Sequence, residues 1–433
     1  MSTEGKAIFW LRRDLRLQDN AGLFHAMQSG LKVQCLFIFD YNISKNLPST
    51  DKRIAFIYQA LEKIHEQLKS MGSSLLVKNG FPVDVWKEML QKGDVKSIFC
   101  NEDYEPNAIK RDTQVANLAK DYGVSFNAYQ DHVICKKGDV LKADGAPYTV
   151  FTPYFNKWVA KVNIDELPNY PNVTSDKLVK SSYEFPERQV LGFNGYSNFP
   201  TDFSDFELLK KYAIKRDVPG VEGTSKIGAA LRFGTISIRQ ATKLAQKYSD
   251  VWLKELVWRE FFSQIMQHFP NTVKEPFKIK YRQLQWHLNE DALQRWIDGK
   301  TGYPIVDAGM RELRTTGWMH NRVRMIVASF LCKHLLQDYR LGEAYFAEKL
   351  IDFELSSNNG NWQWAAGCGC DAAPYFRVFN PTTQQEKFDP KFEYIKQWVP
   401  EFGTFDYPEP MVDHKQAREK AINFYKNQLE THV

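Results

Sequence analysis

Ala7-Ile-Phe-Trp-Leu11 runs directly into Arg12-Arg-Asp-Leu-Arg-Leu17, and this junction decides the fold of the first part of the chain. Five uninterrupted apolar residues suit a strand covered on both faces. Four more strand-like runs follow at Val33–Phe39, Ser74–Val77, Ser97–Cys100 and Ser125–Tyr129. Amphipathic stretches at Ala21–Ser29, Asp51–Met71, Val83–Gln91 and Asn107–Tyr122 alternate with them and read as helices. That order predicts a Rossmann-like, doubly wound parallel α/β domain over residues 1–130. After the first strand come three arginines and an aspartate instead of a glycine-rich turn. Ordinary dinucleotide binding is therefore not expected of this domain.

Outward from there, residues 131–203 are rich in Pro, Gly, Ser and Asn without a sustained period and read as a long connector. From Asp205 the pattern is helical up to a last helix at Lys415–Glu430, which predicts an all-α domain over 204–433. A chain of 433 residues is long enough for two or three such domains. The net charge of +5 permits nucleic-acid binding without arguing for it, because a local basic face is what counts. The N-terminus has no apolar signal core. The most apolar helical run, Met325–Leu336, is short and carries Lys333 and His334, so no membrane span is expected. Six scattered cysteines without Cys-x-x-Cys pairing predict neither a metal site nor a disulfide framework, and they fit a reducing cytoplasm.

The second half is crowded with tryptophan: Trp252, Trp258, Trp286, Trp296, Trp318, Trp362 and Trp364. Near Tyr212, a loop marked by Pro219, Gly220 and Gly223 leads to Thr224-Ser225 and a helix from Lys226 to Phe233. Hydroxyls and free amides there suit a phosphate, although the residues alone favour Thr224 as a plain N-cap. On the helix Val251–Met266, Glu255, Trp258, Arg259 and Phe262 share a face, where Glu255 and Arg259 could also form a simple surface salt bridge. In the run Gly317–Phe330, Asn321 and Met325 share a face and could offer a hydrogen bond and a soft wall to a planar ligand. The segment Asp352 to Arg377 reads as loop-like. There Asp352 is expected to pair with Arg324, Asn358 to sit on a loop held by Gly360, and Trp362 and Trp364 to point the same way from extended backbone.

At these residues the sequence resembles the photolyase/cryptochrome flavoproteins, most of all the class I cyclobutane pyrimidine dimer photolyases. The motifs that carry the resemblance are Trp10-Leu-Arg-Arg-Asp-Leu-Arg-Leu-Gln-Asp-Asn20, Glu222-Gly-Thr-Ser-Lys226, Glu255-Leu-Val-Trp-Arg-Glu-Phe261 and Thr301-Gly-Tyr-Pro-Ile-Val-Asp307. Thr316-Gly-Trp-Met-His-Asn-Arg322, Asn358-Asn-Gly-Asn-Trp-Gln-Trp364 and Asp371-Ala-Ala-Pro-Tyr-Phe-Arg377 complete the set. Asn321, Met325, Trp364 and the absence of a long polar tail set the chain apart from the (6-4) photolyases and the signalling cryptochromes, which remain the alternatives.

The resemblance implies FAD in the helical domain, held by Tyr212, Thr224, Ser225, Lys226, Ile227, Gly228, Trp252, Arg324, Asp352, Phe353 and Glu354, with Asn358 facing the flavin. Two positions depart from the family: Glu354 stands where Asp is common, and Gly228 where Ser is frequent. For the flipped-out lesion it implies walls from Trp258 and Trp364 with Met325 beneath, and hydrogen bonds from Glu255 and Asn321, with Glu255 best sharing a proton. Ultraviolet-damaged DNA is the expected partner, touched by Arg216, Lys280, Arg322, Arg377 and Gln384. The electron relay of the family aligns with Trp362, Tyr339 and Trp286, so its middle member here is a tyrosine. Tyr104, Glu105 and Lys274 align with contacts to an antenna pigment, of folate or deazaflavin type where there is one. The implied enzyme is a monomer that works in the cytoplasm, on the nucleoid when bound to DNA.

Overall fold

A computed structural model describes residues 5–45, 47–203 and 205–430. Five strands, β1 (Lys6–Leu11), β2 (Lys32–Asp40), β3 (Leu76–Gly80), β4 (Val95–Asn101) and β5 (Ser125–Tyr129), form one sheet in the order β3-β2-β1-β4-β5. Every neighbouring pair is parallel, with Phe9 opposite Cys35 on one side and Phe99 on the other. The helices Ala21–Gln28, Lys52–Ser70, Pro82–Gln91 and Pro106–Asp121 fall where the amphipathic stretches predict them. Strand β3 starts two residues later than the apolar pattern suggests. Ser73 and Ser74 are buried but bond to Ser181, which takes them out of the strand.

The residues after β1 explain why no glycine turn is needed. The strand order reverses between β1 and β4, where an open α/β sheet usually leaves a ligand crevice. Here Asp14 accepts from Asn101 at 2.6 Å, and Arg16 donates to Asp131 at 2.5 Å. Arg239 bonds both Asp131 and Asp19. Burial alone would raise the Asp131 carboxyl, but Arg16 and Arg239 overcome it and hold the group near 2. Leu15 N donates to Phe233 O at 3.0 Å and Arg16 to Gly234 O at 2.9 Å, so the motif ties the 226–247 segment to the sheet. Its own side chains fill the crevice.

By compactness the chain forms two units. One comprises Met1–Lys136, Asn163–Ser204 and Lys226–Lys247, and the other Lys137–Val162, Asp205–Ser225 and Tyr248–Val433. The stretch read as a connector is thus shared between them, and it contains the helix Phe151–Lys161. The second unit is helical and packs around Trp296, Tyr303, Met310, Phe330 and Tyr425. Among the described residues no helix is long and apolar enough to cross a membrane, and no cluster of three or more His, Cys, Asp or Glu side chains could hold a metal ion.

Two sequence expectations change here. The helix over 226–233 is only Gly228–Arg232, and its N-cap is Ile227 instead of Thr224. The segment read as a loop contains a helix, Leu355–Ala366, closed by Gly367 at φ +89°.

Two buried histidines of the helical unit give a pH dependence. His334 stacks on Phe330 at 4.8 Å and shares a 2.9 Å hydrogen bond with His414; burial, then His414, pushes it down to about 3. Burial likewise lowers His320 to about 4. Both lie below the roughly 6.5 of a histidine in an unfolded chain. Between pH 6.5 and about 4 the unfolded chain therefore binds more protons, so stability is full above pH 6.5 and falls as pH drops. The slope is up to ~1.4 kcal/mol per pH unit for each histidine. Urea midpoints at pH 7.5 and pH 5 should differ accordingly, and His334→Gln should remove roughly half of the histidine-borne slope. An unchanged slope in that variant would refute the assignment.

Candidate active site

Weak helix formers crowd Leu355–Ala366; Asn361 bonds back to Ser357 O at 2.8 Å, but the other three amides reach to other elements. Asn358 Nδ2 donates to Glu343 O at 3.0 Å and Asn359 Nδ2 to Glu343 Oε1 at 3.0 Å. Gln363 Nε2 donates to Thr272 O at 2.9 Å. Gly360 lies within this helix against the Phe262 ring of the Asp250–His268 helix, where any Cβ would overlap that ring. Gly342, on the helix Tyr339–Lys349, takes the edge of Trp362 in the same way. Side chains two apart on a helix point about 200° apart. Trp362 is accordingly 2% exposed while Trp364 is half-buried on another side, so the two do not point together as extended backbone would have them.

Two cavities of the helical unit meet at this helix. One is lined by Asn321, Arg324, Met325, Phe346, Asp352, Phe353, Glu354, Asn358, Trp362 and Trp364, among others. The other is lined by Asp217, Arg322, Met325, Trp364, Arg377, Phe379, Gln384, Lys387 and Phe388. Met325 and Trp364 belong to both and form the partition between them.

In the first cavity Arg324 donates from Nη2 to Asp352 Oδ2 at 2.8 Å, as the sequence suggests, and from Nε to Met319 O at 2.7 Å. The other oxygen, Asp352 Oδ1, is buried without a partner. An unpaired acceptor on a cavity wall calls for a donor such as the ring N–H of a flavin, so the residues fit FAD. Glu354, the longer replacement, reaches away to Arg259, with Nε–Oε2 at 2.8 Å. Arg259 therefore does not pair with Glu255. Glu255 instead accepts from Arg216 Nη1 at 2.5 Å. Trp252 Nε1 donates to Ser225 Oγ at 3.2 Å, and buried Tyr212 lies under the Arg216 guanidinium at 5.3 Å. Lys226, Ile227 and Gly228 belong to the first unit, with Lys226 at φ +51°, an uncommon conformation for a side-chain-bearing residue.

Other candidates sit apart from both cavities. Trp258 stacks face to face on Phe151, with centroids 3.7 Å apart, and lines neither. Lys280 and Lys274 are exposed. Arg377, by contrast, lines the second cavity, exposed and with its guanidinium 5.6 Å from the Phe379 ring. In the first unit Tyr104 is buried beneath Arg13, and Glu105 pairs with Arg13 and Arg232. Two of the three antenna candidates are thus committed to internal contacts, and the third, Lys274, is exposed.

Trp286 meets Tyr339 edge-to-face at 6.5 Å. Trp362 meets Phe346 at 5.0 Å and Trp296 at 6.2 Å. Burial first, then nearby Cys368 and Glu343, push the Tyr339 phenol well above its ordinary value. Sequence reasoning left Trp296 and Glu343 without a task. Glu343 receives an amide bond at both its backbone and its side chain, and burial raises its carboxyl to about 7. Nothing in the spacing of the sequence singles it out.

A relay through Tyr339 would require the phenol to lose its proton with its electron, and burial makes that harder. Tyr339→Trp should speed light-driven reduction of bound flavin. Tyr339→Phe should slow it at most modestly if Trp362 supplies the first electron. Neither change should alter repair by protein reduced chemically beforehand, and loss of repair in reduced Tyr339→Phe would end this reading.

The chain is similar to known proteins along nearly its whole length. Residues 7–172 match the DNA photolyase family and 252–406 the FAD binding domain of DNA photolyase. A deoxyribodipyrimidine photo-lyase of Escherichia coli is 37% identical, with 97% of this chain and 98% of that protein covered. A class III photolyase from Agrobacterium tumefaciens superposes with a TM-score of 0.87 at 30% identity, covering 100% of this chain and 99% of its own. An archaeal photolyase from Sulfolobus tokodaii, solved with two FAD molecules, gives 0.86 at 34% identity over 98% of this chain and 100% of that one. Matched in both halves and along nearly its full length, the chain belongs to the DNA photolyase family and is an FAD-dependent enzyme that repairs DNA with light.

Proposed function

We propose that the two cavities divide the work of splitting cyclobutane pyrimidine dimers, one holding the flavin and the other the flipped-out dimer. The observation that carries this reading is the partition made by Met325 and Trp364, which places a polarisable sulfur and an indole between the two occupants. When bound, FAD supplies the light-driven electron. The protein's own residues do the rest. Arg324, Asp352 and Asn358 fix the flavin ring, with Phe353 and Glu354 at its edge, and Tyr212, Thr224, Ser225 and Trp252 complete the hold on the cofactor.

Extruding a damaged dinucleotide costs less than extruding an intact base, because its pairing is already weakened. Trp364 offers it a stacking face. Asn321, which lines the first cavity beside Met325, and Glu255, which lines neither, reach the pyrimidine edges across the partition, Glu255 after exchanging its bond to Arg216. Trp258 supports that wall from its stack on Phe151. Arg216, Lys280, Arg322, Arg377 and Gln384 meet phosphates and position the strand. The enzyme acts as a cytoplasmic monomer.

Lesion choice is tested with two oligonucleotides, one carrying a thymine dimer and one a (6-4) product, illuminated with blue light and reductant. Restoration of the dimer alone is expected. Restoration of the (6-4) product in its place would overturn the assignment of Asn321.

A further inference from the structure

Five polar side chains line the cavity assigned to the dimer, and only one of them is acidic: Asp217 stands among Arg322, Arg377, Gln384 and Lys387. Its Oδ1 accepts from Arg322 Nη2 at 2.8 Å and lies 3.9 Å from Arg216 Nε. The Arg322 guanidinium also lies 4.4 Å over the Phe388 ring, with Nη1 3.6 Å from the Met325 sulfur. Arg322 Nε is buried and has no partner, so the group still has a donor to offer.

We propose that Asp217 is a built-in competitor for DNA phosphate at Arg322, a carboxylate that occupies the guanidinium until the lesion's backbone replaces it. The inference rests on the DNA-binding reading of Arg322 given above. The same pair admits the opposite role, in which Asp217 orients Arg322 for its phosphate, and the two roles predict changes of opposite sign.

The contacts favour competition. Phe388 and Met325 hold the guanidinium from other sides, so its orientation survives without the carboxylate. The Asp217 side chain is 42% exposed against 21% for Arg322, and an ion pair with so exposed a partner adds little to stability. A phosphate bound to the same guanidinium would lie within a few ångströms of Asp217, and like charges that close repel. Because Arg322 faces a cavity that only an extruded dinucleotide enters, the competition concerns damaged DNA far more than intact duplex.

The test is equilibrium binding of a thymine-dimer duplex and its undamaged twin at low and at high salt. Asp217→Asn should tighten binding of the dimer duplex about three- to tenfold at low salt. The gain should fade at high salt, and the undamaged twin should change little. Asp217→Glu, which keeps the charge, should bind like the wild type. In an Arg322→Gln background the Asp217→Asn gain should vanish. Unchanged or weaker binding by Asp217→Asn would overturn the proposal, as would a gain that persists without Arg322. If the wild type binds the dimer duplex no better than its twin, the DNA-binding reading itself fails and this proposal falls with it.

Discussion

Trp364→Ala is expected to weaken binding of a thymine-dimer oligonucleotide about 10- to 100-fold, the ~1–3 kcal/mol that stacking on one base contributes. Trp364 is placed for this and for little else. It is half-buried, it lies on the side of its helix away from the buried Trp362, and it lines both cavities. Its nearest ring neighbour is Phe379, tilted at 6.4 Å, too loose a contact to make the indole a core anchor. Trp364→Phe keeps an aromatic face and should retain most of the affinity. The undamaged oligonucleotide should be affected far less, because an intact base does not enter the cavity. Fluorescence anisotropy with both oligonucleotides decides the matter, and a loss below about twofold would refute the stacking role.

Arg324→Ala is expected to yield protein that purifies largely without flavin. Arg324 makes a 2.8 Å bond to Asp352 and a 2.7 Å bond to Met319 O. Removing it strands a carboxylate of which one oxygen already lacks a partner. Breaking a buried pair typically costs about 3–5 kcal/mol, and somewhat less here because the arginine side chain is 24% exposed. That loss falls on the wall that would hold the flavin ring. Arg324→Lys keeps the charge but not the planar fork, so partial retention is expected. The ratio of flavin to protein absorbance after purification is the readout. A full complement of FAD in Arg324→Ala would show that the Arg324–Asp352 pair does not hold the cofactor.

The first domain was legible because its strands are continuous apolar runs and its helices amphipathic, and the observed elements fall within a few residues of the expected bounds. What the Trp10–Asn20 motif does was not legible. Its arginines and aspartates find partners at Asn101, Asp131 and Arg239, far along the chain, and no local pattern encodes such pairings.

The Leu355–Ala366 helix was missed for a physical reason. Ser, Asn and Gly are poor helix formers, and this helix is held by tertiary contacts. Gly360 admits Phe262, Gly342 admits Trp362, and the amides of Asn358, Asn359 and Gln363 bond to other elements. With the segment read as extended, Trp362 and Trp364 point the same way; as a helix it leaves Trp362 buried beside the first cavity alone and puts Trp364 on both.

Within the site, the Arg324–Asp352 pair was foreseeable from the charges alone. The choice of partner for Arg259 was not, because Glu255 and Glu354 both offer a carboxylate and only the packed structure selects Glu354. The displacement of Trp258 onto Phe151 belongs to the same class.

Light should drive this chain to split cyclobutane pyrimidine dimers. The most direct measurement incubates the purified, chemically reduced protein with ultraviolet-damaged oligo(dT) and counts the remaining dimers after blue light and after the same time in darkness. Dimer loss is expected in the illuminated sample and none in the dark one. Equal persistence of dimers in both samples, with FAD bound, would contradict it.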